Sequence, residues 1–311
     1  MSGSASSHTT ASIARHAVRS LHAELMLYPK PGLVSAIDNG SHADMCAATF
    51  MRSLFSLRGY FAAVAAAGRG GAAFAELVAL GIAAERRMLA ATQGVNTHRG
   101  AIFVLGLLCA AAGRLASEHA PAATGTPHEL RNMLTAQWGG ALLGHCAARD
   151  LGAHGTRAAL VHGAGGARAQ AAAGLPAVFD VALPALQASL DAGRGWERAR
   201  IDAFFTLMAT VEDTNVYHRG GEEGAWLVRT WGKDFMARGG TANPAWRRLA
   251  LQAHRAFVAR RLSPGGCADL LAATCLVHAL TGTRPAQREQ RASHRRLAAP
   301  ASAPALTSAA A

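Results

Sequence analysis

Five carboxylates, Asp38, Asp44, Glu85, Glu212 and Asp213, occupy short polar segments of a chain otherwise dominated by Ala, Leu, Val, Gly and Arg. Oxygen donors of this kind suit Mg²⁺, which takes one or two carboxylates and fills its remaining positions with water and substrate phosphates. Of the 31 basic side chains only Lys30 and Lys233 are lysines, and Lys30 stands inside Tyr28-Pro29-Lys30-Pro31-Gly32, just ahead of Asp38-Asn39-Gly40-Ser41-His42-Ala43-Asp44. Arg99 and Arg219 adjoin glycines, and Arg168 ends the run Gly163-Ala164-Gly165-Gly166-Ala167-Arg168. Together with Lys30 they could neutralise phosphate oxygens brought to backbone amides by a glycine turn. Ser41, His42, Asn96, Thr97 and Asn215 supply further hydrogen-bonding groups in the same segments. Proton transfer in such a site falls to Asp44, Glu85 or Asp213, with His98 behind them. Each has a plainer reading: a cap for Asp213, an internal Arg pair for Glu85, a satisfied structural histidine for His42 or His98, and ordinary turns for the glycines.

Other chemistries lack their signatures. There is no GxxxxGK[ST] phosphate loop, no His-x-x-x-His zinc pair and no His-Asp dipeptide of a metal phosphohydrolase. Cys46, Cys109, Cys146, Cys267 and Cys275 are far apart and form no Cys-x-x-Cys, so neither a zinc site nor a disulfide framework is expected and a reducing cytoplasm is the natural compartment.

The elements that must position these residues read as helices throughout. Apolar spacing predicts an all-α fold, a single compact domain with a polar site between helices, over 11–28, 47–67, 72–92, 99–116, 129–149, 156–173, 180–192, 197–212, 222–237, 244–262 and 266–281. Loops are expected at 117–128, at Gly163 to Arg168 and at Gly220-Gly221. In the third helix Glu85 shares a face with Phe74, Leu77, Val78, Gly81, Ile82, Met88 and Leu89, which predicts a buried carboxylate needing a partner. The stripe Ile201, Phe204, Phe205, Met208 continues to Glu212 and Asn215, which aims both inward. Residues 1–11 read as a flexible N-terminus, 12–282 as the catalytic domain, and 283–311, rich in Ala, Pro and Arg, as a disordered tail.

Formal charge is +12. No zinc-finger or RNA-binding signature accompanies it, so nucleic acid is not expected as a partner. The N-terminus lacks a secretory pattern, and the apolar run Ala101 to Ala112 is too short to span a bilayer, so no membrane is expected either.

Taken together, the segments resemble triphosphoribosyl-dephospho-coenzyme A synthases. The resemblance rests on Glu24 to Met45, Thr92 to Phe103, Gly166 to Pro176, Glu212-Asp213-Thr214-Asn215 and Ser263-Pro264-Gly265-Gly266-Cys267-Ala268-Asp269-Leu270-Leu271. It implies an all-helical enzyme that joins ATP and 3′-dephospho-CoA, releases adenine and makes the prosthetic-group precursor of an acyl carrier subunit. That precursor passes to a downstream transferase. Two positions depart from many members of the family, which carry Glu at Gln170 and Gly at Gln93; Ala169-Gln170-Ala171 looks more like the malonate decarboxylase type. If that Glu serves as base in other members, this chain cannot use it that way. Two rival readings are a Mg²⁺-dependent nucleotide or ADP-ribose hydrolase and a non-catalytic carrier-protein chaperone.

Overall fold

The computed structural model describes residues 9–118, 125–147 and 166–282. Helices α1 (Thr10–Leu25), α2 (Ala47–Ser56), α3 (Arg58–Arg69), α4 (Phe74–Ala91), α5 (Arg99–Glu118) and α6 (Pro127–Ala147) come first. There follow α7 (Gly166–Ala172), a π-helical turn (Ala177–Ala182) running into α8 (Leu183–Asp191), and α9 (Gly195–Thr210). Last come α10 (Thr214–Ala237), a 3₁₀ turn (Gly240–Ala242), α11 (Trp246–Ala259) and α12 (Gly265–Thr281). Among the described residues there is no strand. The all-α expectation is met.

Helices α5 and α12 form the centre because they are apolar nearly all round. A helix of that kind must be covered on every side. Around α5 lie α1, α3, α4, α6 and α12; around α12 lie α1, α9 and the π turn. With twenty residues and a mean hydropathy of 1.8, α5 is long and apolar enough to cross a membrane, more than the run Ala101 to Ala112 suggests; 72 % of that window is buried by its neighbours, as befits a core helix.

Small residues let α3 approach α5 backbone to backbone. A Cβ added to Gly113 would lie 2.0 Å from the Ala65 carbonyl oxygen, and one on Gly68 2.1 Å from that of Ala110. Nearby, buried Tyr60 donates its hydroxyl to the Ile102 carbonyl at 2.9 Å, and a Cβ on Gly106 would fall 2.0 Å from that hydroxyl. On the other side, Asp202 of α9 gathers Ser189 of α8, Arg194, and both the amide and hydroxyl of Thr241, at 2.6–3.0 Å.

Several boundaries differ from the sequence reading. The helix expected over 47–67 is two, separated at Leu57. The loop before α6 ends by Thr126, and only Gly166–Ala172 of the helix expected at 156–173 is described. Of the glycine loop at 163–168, the last three residues are helical and the rest lies outside the described residues, as do nearly all of the N-terminal segment and the tail from 283 onward. Gly220-Gly221 is not a loop but a kink inside α10, where Gly221 takes φ 58° and ψ −153°. Most consequential, α9 stops at Thr210 because Val211 is extended, φ −90° and ψ 136°. The helical phase is lost there, and Glu212 and Asn215 are exposed, not aimed inward.

Candidate active site

The long link between α1 and α2, residues 26–46, is pinned at three places. Lys30 is buried and ion-paired with Glu24, the buried penultimate residue of α1. Burial pushes the Glu24 carboxyl up and the Lys30 ammonium down, each restrained by the other's charge. His254 of α11 donates from Nδ1 to the Lys30 carbonyl at 3.1 Å and sets Nε2 3.3 Å from Asp38. Asp38 in turn accepts the Gly40 amide at 2.8 Å, an Asx turn.

Further along, the link is stitched to the α11–α12 junction. Gly32 is left-handed, φ 71°, and a Cβ there would lie 2.1 Å from the Leu262 carbonyl oxygen. Ser41 donates to that same oxygen at 2.6 Å. His42 places Nε2 2.8 Å from Ser263 Oγ and Nδ1 3.2 Å from the Arg219 guanidinium. A guanidinium only donates, so Nδ1 accepts and Nε2 carries the hydrogen. Burial and Arg219 lower the His42 pKa and keep the ring neutral, against the pull of Asp44 at 3.6 Å. Arg219 also reaches the Ser41 and Arg261 carbonyls, at 3.4 and 3.2 Å.

Two aspartates tie helix starts to α12. Asp213 caps α10 by accepting the Asn215 amide at 2.9 Å, while its second oxygen accepts the Cys267 amide at 2.9 Å. Asp269 of α12 lies against the first turn of α5: a Cβ on Gly100 would be 2.2 Å from its Oδ2, and the Ala101 amide donates to it. Burial, then Glu24 and Asp213, pushes the Asp269 carboxyl well above the usual range; burial likewise raises Asp213. Although deep, Asp269 keeps part of its surface accessible, as do Gly100, Gly265 and Gly266 around it. The starts of α5, α10 and α12 and the 26–46 link thus meet around the α11–α12 junction, with Asp269 between the α5 and α12 starts.

The α5 entry carries its own network. Asn96 caps α5 by accepting the Arg99 amide at 3.2 Å. Thr97 donates to Ser53 Oγ at 2.7 Å, and Ser53 lies 2.6 Å from His98 Nδ1. Buried His98 stands edge-on to Phe50, and its Nε2 has no hydrogen-bond partner among the described residues. Burial, helped by Lys30, lowers its pKa to about 3.

The expected residues therefore fall into distinct environments. Ser41, His42, Asp213 and Arg219 come together with the α12 start, and Asn96, Thr97, His98 and Arg99 line the α5 entry. Lys30 is enclosed against Glu24 and does not present its charge outward. Glu85 is only partly buried and pairs with Arg99, so the face drawn for α4 is rotated: Leu77, Ala84 and Met88 are its buried residues, and Ile82 is 49 % exposed. Glu212 binds Arg229 at 3.1 Å, Asp44 is 61 % exposed, and Arg168 rides on α7, which packs on α6 and α5. No three His, Cys, Asp or Glu residues among those described form a group able to hold a metal, so Asp38, Asp44, Glu85, Glu212 and Asp213 do not converge as a cage. Gln170 has a structural task, accepting the Ala177 amide at 3.1 Å. Asp269 was missed as a site residue; its signal was the motif Gly265-Gly266-Cys267-Ala268-Asp269, small residues flanking one acid.

Residues 10–288 match the family model for ATP:dephospho-CoA triphosphoribosyl transferase. The chain is 38 % identical over 281 residues to the 2-(5''-triphosphoribosyl)-3'-dephosphocoenzyme-A synthase of Pectobacterium atrosepticum, covering 86 % of this chain and 88 % of that one. Proteins named as probable synthases of the same kind are similar too. That of Acinetobacter calcoaceticus is 36 % identical, covering 86 % of this chain and 92 % of its own. That of Pseudomonas savastanoi pv. phaseolicola is 40 % identical, covering 85 % and 89 %. No solved structure matches.

Proposed function

The chain belongs to the ATP:dephospho-CoA triphosphoribosyl transferase family, and from that premise we propose that it joins ATP to 3′-dephospho-CoA with release of adenine, giving 2′-(5″-triphosphoribosyl)-3′-dephospho-CoA. The observation that carries the reading is convergence: segments around residues 30–46, 96–101, 213–219 and 263–269, remote in sequence, pack against one another.

The triphosphate lies near the α5, α10 and α12 starts, whose positive dipole ends favour anions, with Arg219 and Arg99 beside it. Mg²⁺ arrives as part of the substrate, held by the phosphate oxygens themselves. The reacting ribose then sits deeper, where positive charge developing as adenine departs is met by the carboxylates Asp269 and Asp213. His42, held between Arg219 and Ser263 and favoured in its neutral form by burial, orients.

Ala169-Gln170-Ala171 favours the acyl carrier subunit of malonate decarboxylase as the eventual acceptor of the product, by way of a downstream transferase. We take the cytoplasm, the pool from which ATP is drawn, as its compartment.

The test is incubation of the purified protein with ATP, Mg²⁺ and 3′-dephospho-CoA, measuring free adenine and the mass of the coenzyme product. Adenine that appears only with dephospho-CoA, with a matching triphosphoribosyl adduct, is the expected result. Adenine without an acceptor would indicate a hydrolase, and none under either condition would refute the reading.

A further inference from the structure

Resting on that reading, we propose that Asp269 is the group that takes the proton from the attacking hydroxyl of the acceptor. A general base needs an unengaged lone pair, access to substrate and an affinity for protons near the working pH. The other candidates each lack one of these. Asp213 accepts the Asn215 and Cys267 amides at 2.9 Å, with the Val216 amide and the Cys267 thiol also on its carboxylate. Glu24 is closed against Lys30. Glu85 pairs with Arg99, and Glu212 with Arg229. Asp44 is largely in solvent. His98 is buried and has lost nearly all its basicity.

Asp269 differs on every count. Among the described residues it has no ion pair and no side-chain hydrogen bond; the Ala101 amide accounts for one of its lone pairs and leaves the rest free. It keeps part of its surface accessible, as do Gly100, Gly265 and Gly266 beside it. The charged and titrating groups that face it are Glu24 from α1, backed by Lys30, Asp213 ahead of α10, and Cys267 on its own helix. Two of these are carboxylates, so a proton on Asp269 relieves like-charge repulsion. In the step itself the acceptor's hydroxyl oxygen bonds to the anomeric carbon of the ATP ribose and the bond from that carbon to adenine breaks. The bonding pair leaves on adenine, which gains one proton, while the hydroxyl's proton moves to Asp269 and returns to solvent. The proton count is unchanged.

Asp269→Asn tests this, because an amide oxygen still accepts from the Ala101 N–H and the helix junction is kept. Expected are an unchanged thermal midpoint, ATP binding within about twofold of wild type, and turnover lower by about 10²–10⁴-fold. The acid limb of kcat/KM disappears from the residual activity. A variant with near wild-type turnover and an intact acid limb overturns the proposal alone; a wild type that makes no acceptor-dependent adenine overturns the functional reading beneath it. Should the variant not fold, the wild-type profile decides. Its rate must fall with acid through a pKa above the ordinary carboxylate value of about 4, and a flat profile down to about pH 4 refutes the assignment.

Discussion

With Nδ1 2.6 Å from the Ser53 hydroxyl and Nε2 enclosed, His98 has no place for a positive charge, and its pKa of about 3 records that. The unfolded chain binds a proton there below about pH 6.5 while the folded one does not until about pH 3, so acid withdraws stability across that window at about 1.4 kcal/mol per pH unit. Glu24, Asp213 and Asp269, raised in the folded state, act with the opposite sign: the stability they confer is lost as pH rises through their folded values. Urea unfolding of wild type and His98→Gln in parallel isolates the histidine; the difference between them should change by about 1.4 kcal/mol per unit between pH 6 and pH 4.5. Lys30 gives a second prediction at this scale. Lys30→Met leaves Glu24 buried without its cation and should cost about 3–5 kcal/mol in urea unfolding, much of it recovered in the double variant with Glu24→Gln. Rarity made Lys30 legible in the sequence, but its partner was not: Glu24 lies six positions earlier, on a helix whose end must turn back before the two can meet. Asp269 was hidden for a related reason, since one acid in a helix's first turns looks like an ordinary dipole partner until the facing glycine is known.

Helices here are joined through aspartates that leave one element to satisfy another: Asp213 bridges α10 and α12, Asp269 bridges α12 and α5, and Asp202 holds α9 to α8 and the 3₁₀ turn. Periodicity found nearly every helix, because a buried face repeats every turn whatever it packs against. It failed where phase is interrupted, at Leu57, Val211 and Gly221, since a broken stripe and a continued one share the same residues until the backbone angles are known. Gln93 is a related case: the family resemblance expects Gly there, and the residue is left-handed at φ 58°. The α3–α5 contact supports a prediction of its own. Gly113→Ala drives a methyl group into the Ala65 carbonyl and should destabilise by about 1–3 kcal/mol. Gly59→Ala, with nothing within 4 Å of the new carbon, should stabilise by about 0.5–1 kcal/mol. Thermal midpoints moving in opposite directions would confirm both.

The chain carries a formal charge of +12, and the substrates proposed for it are polyanions. Raising salt from about 0.1 M to about 1 M shrinks the screening length from ~10 Å to ~3 Å, so KM for ATP should climb several-fold while kcat holds; a salt-independent KM would confine the attraction to short-range contacts. Helix content was open to inspection in the sequence, but the way α5 and α12 come to the centre was not, because local spacing says how much surface each must hide and not which neighbour hides it. The Tyr60 hydroxyl occupies the volume that any side chain at position 106 would need. Descent through sequence space is therefore ordered at this pair: a lineage must first exchange Tyr60 for a residue without that hydroxyl before position 106 can accept anything larger than glycine, and the reverse order passes through a protein whose central helix has lost its seat.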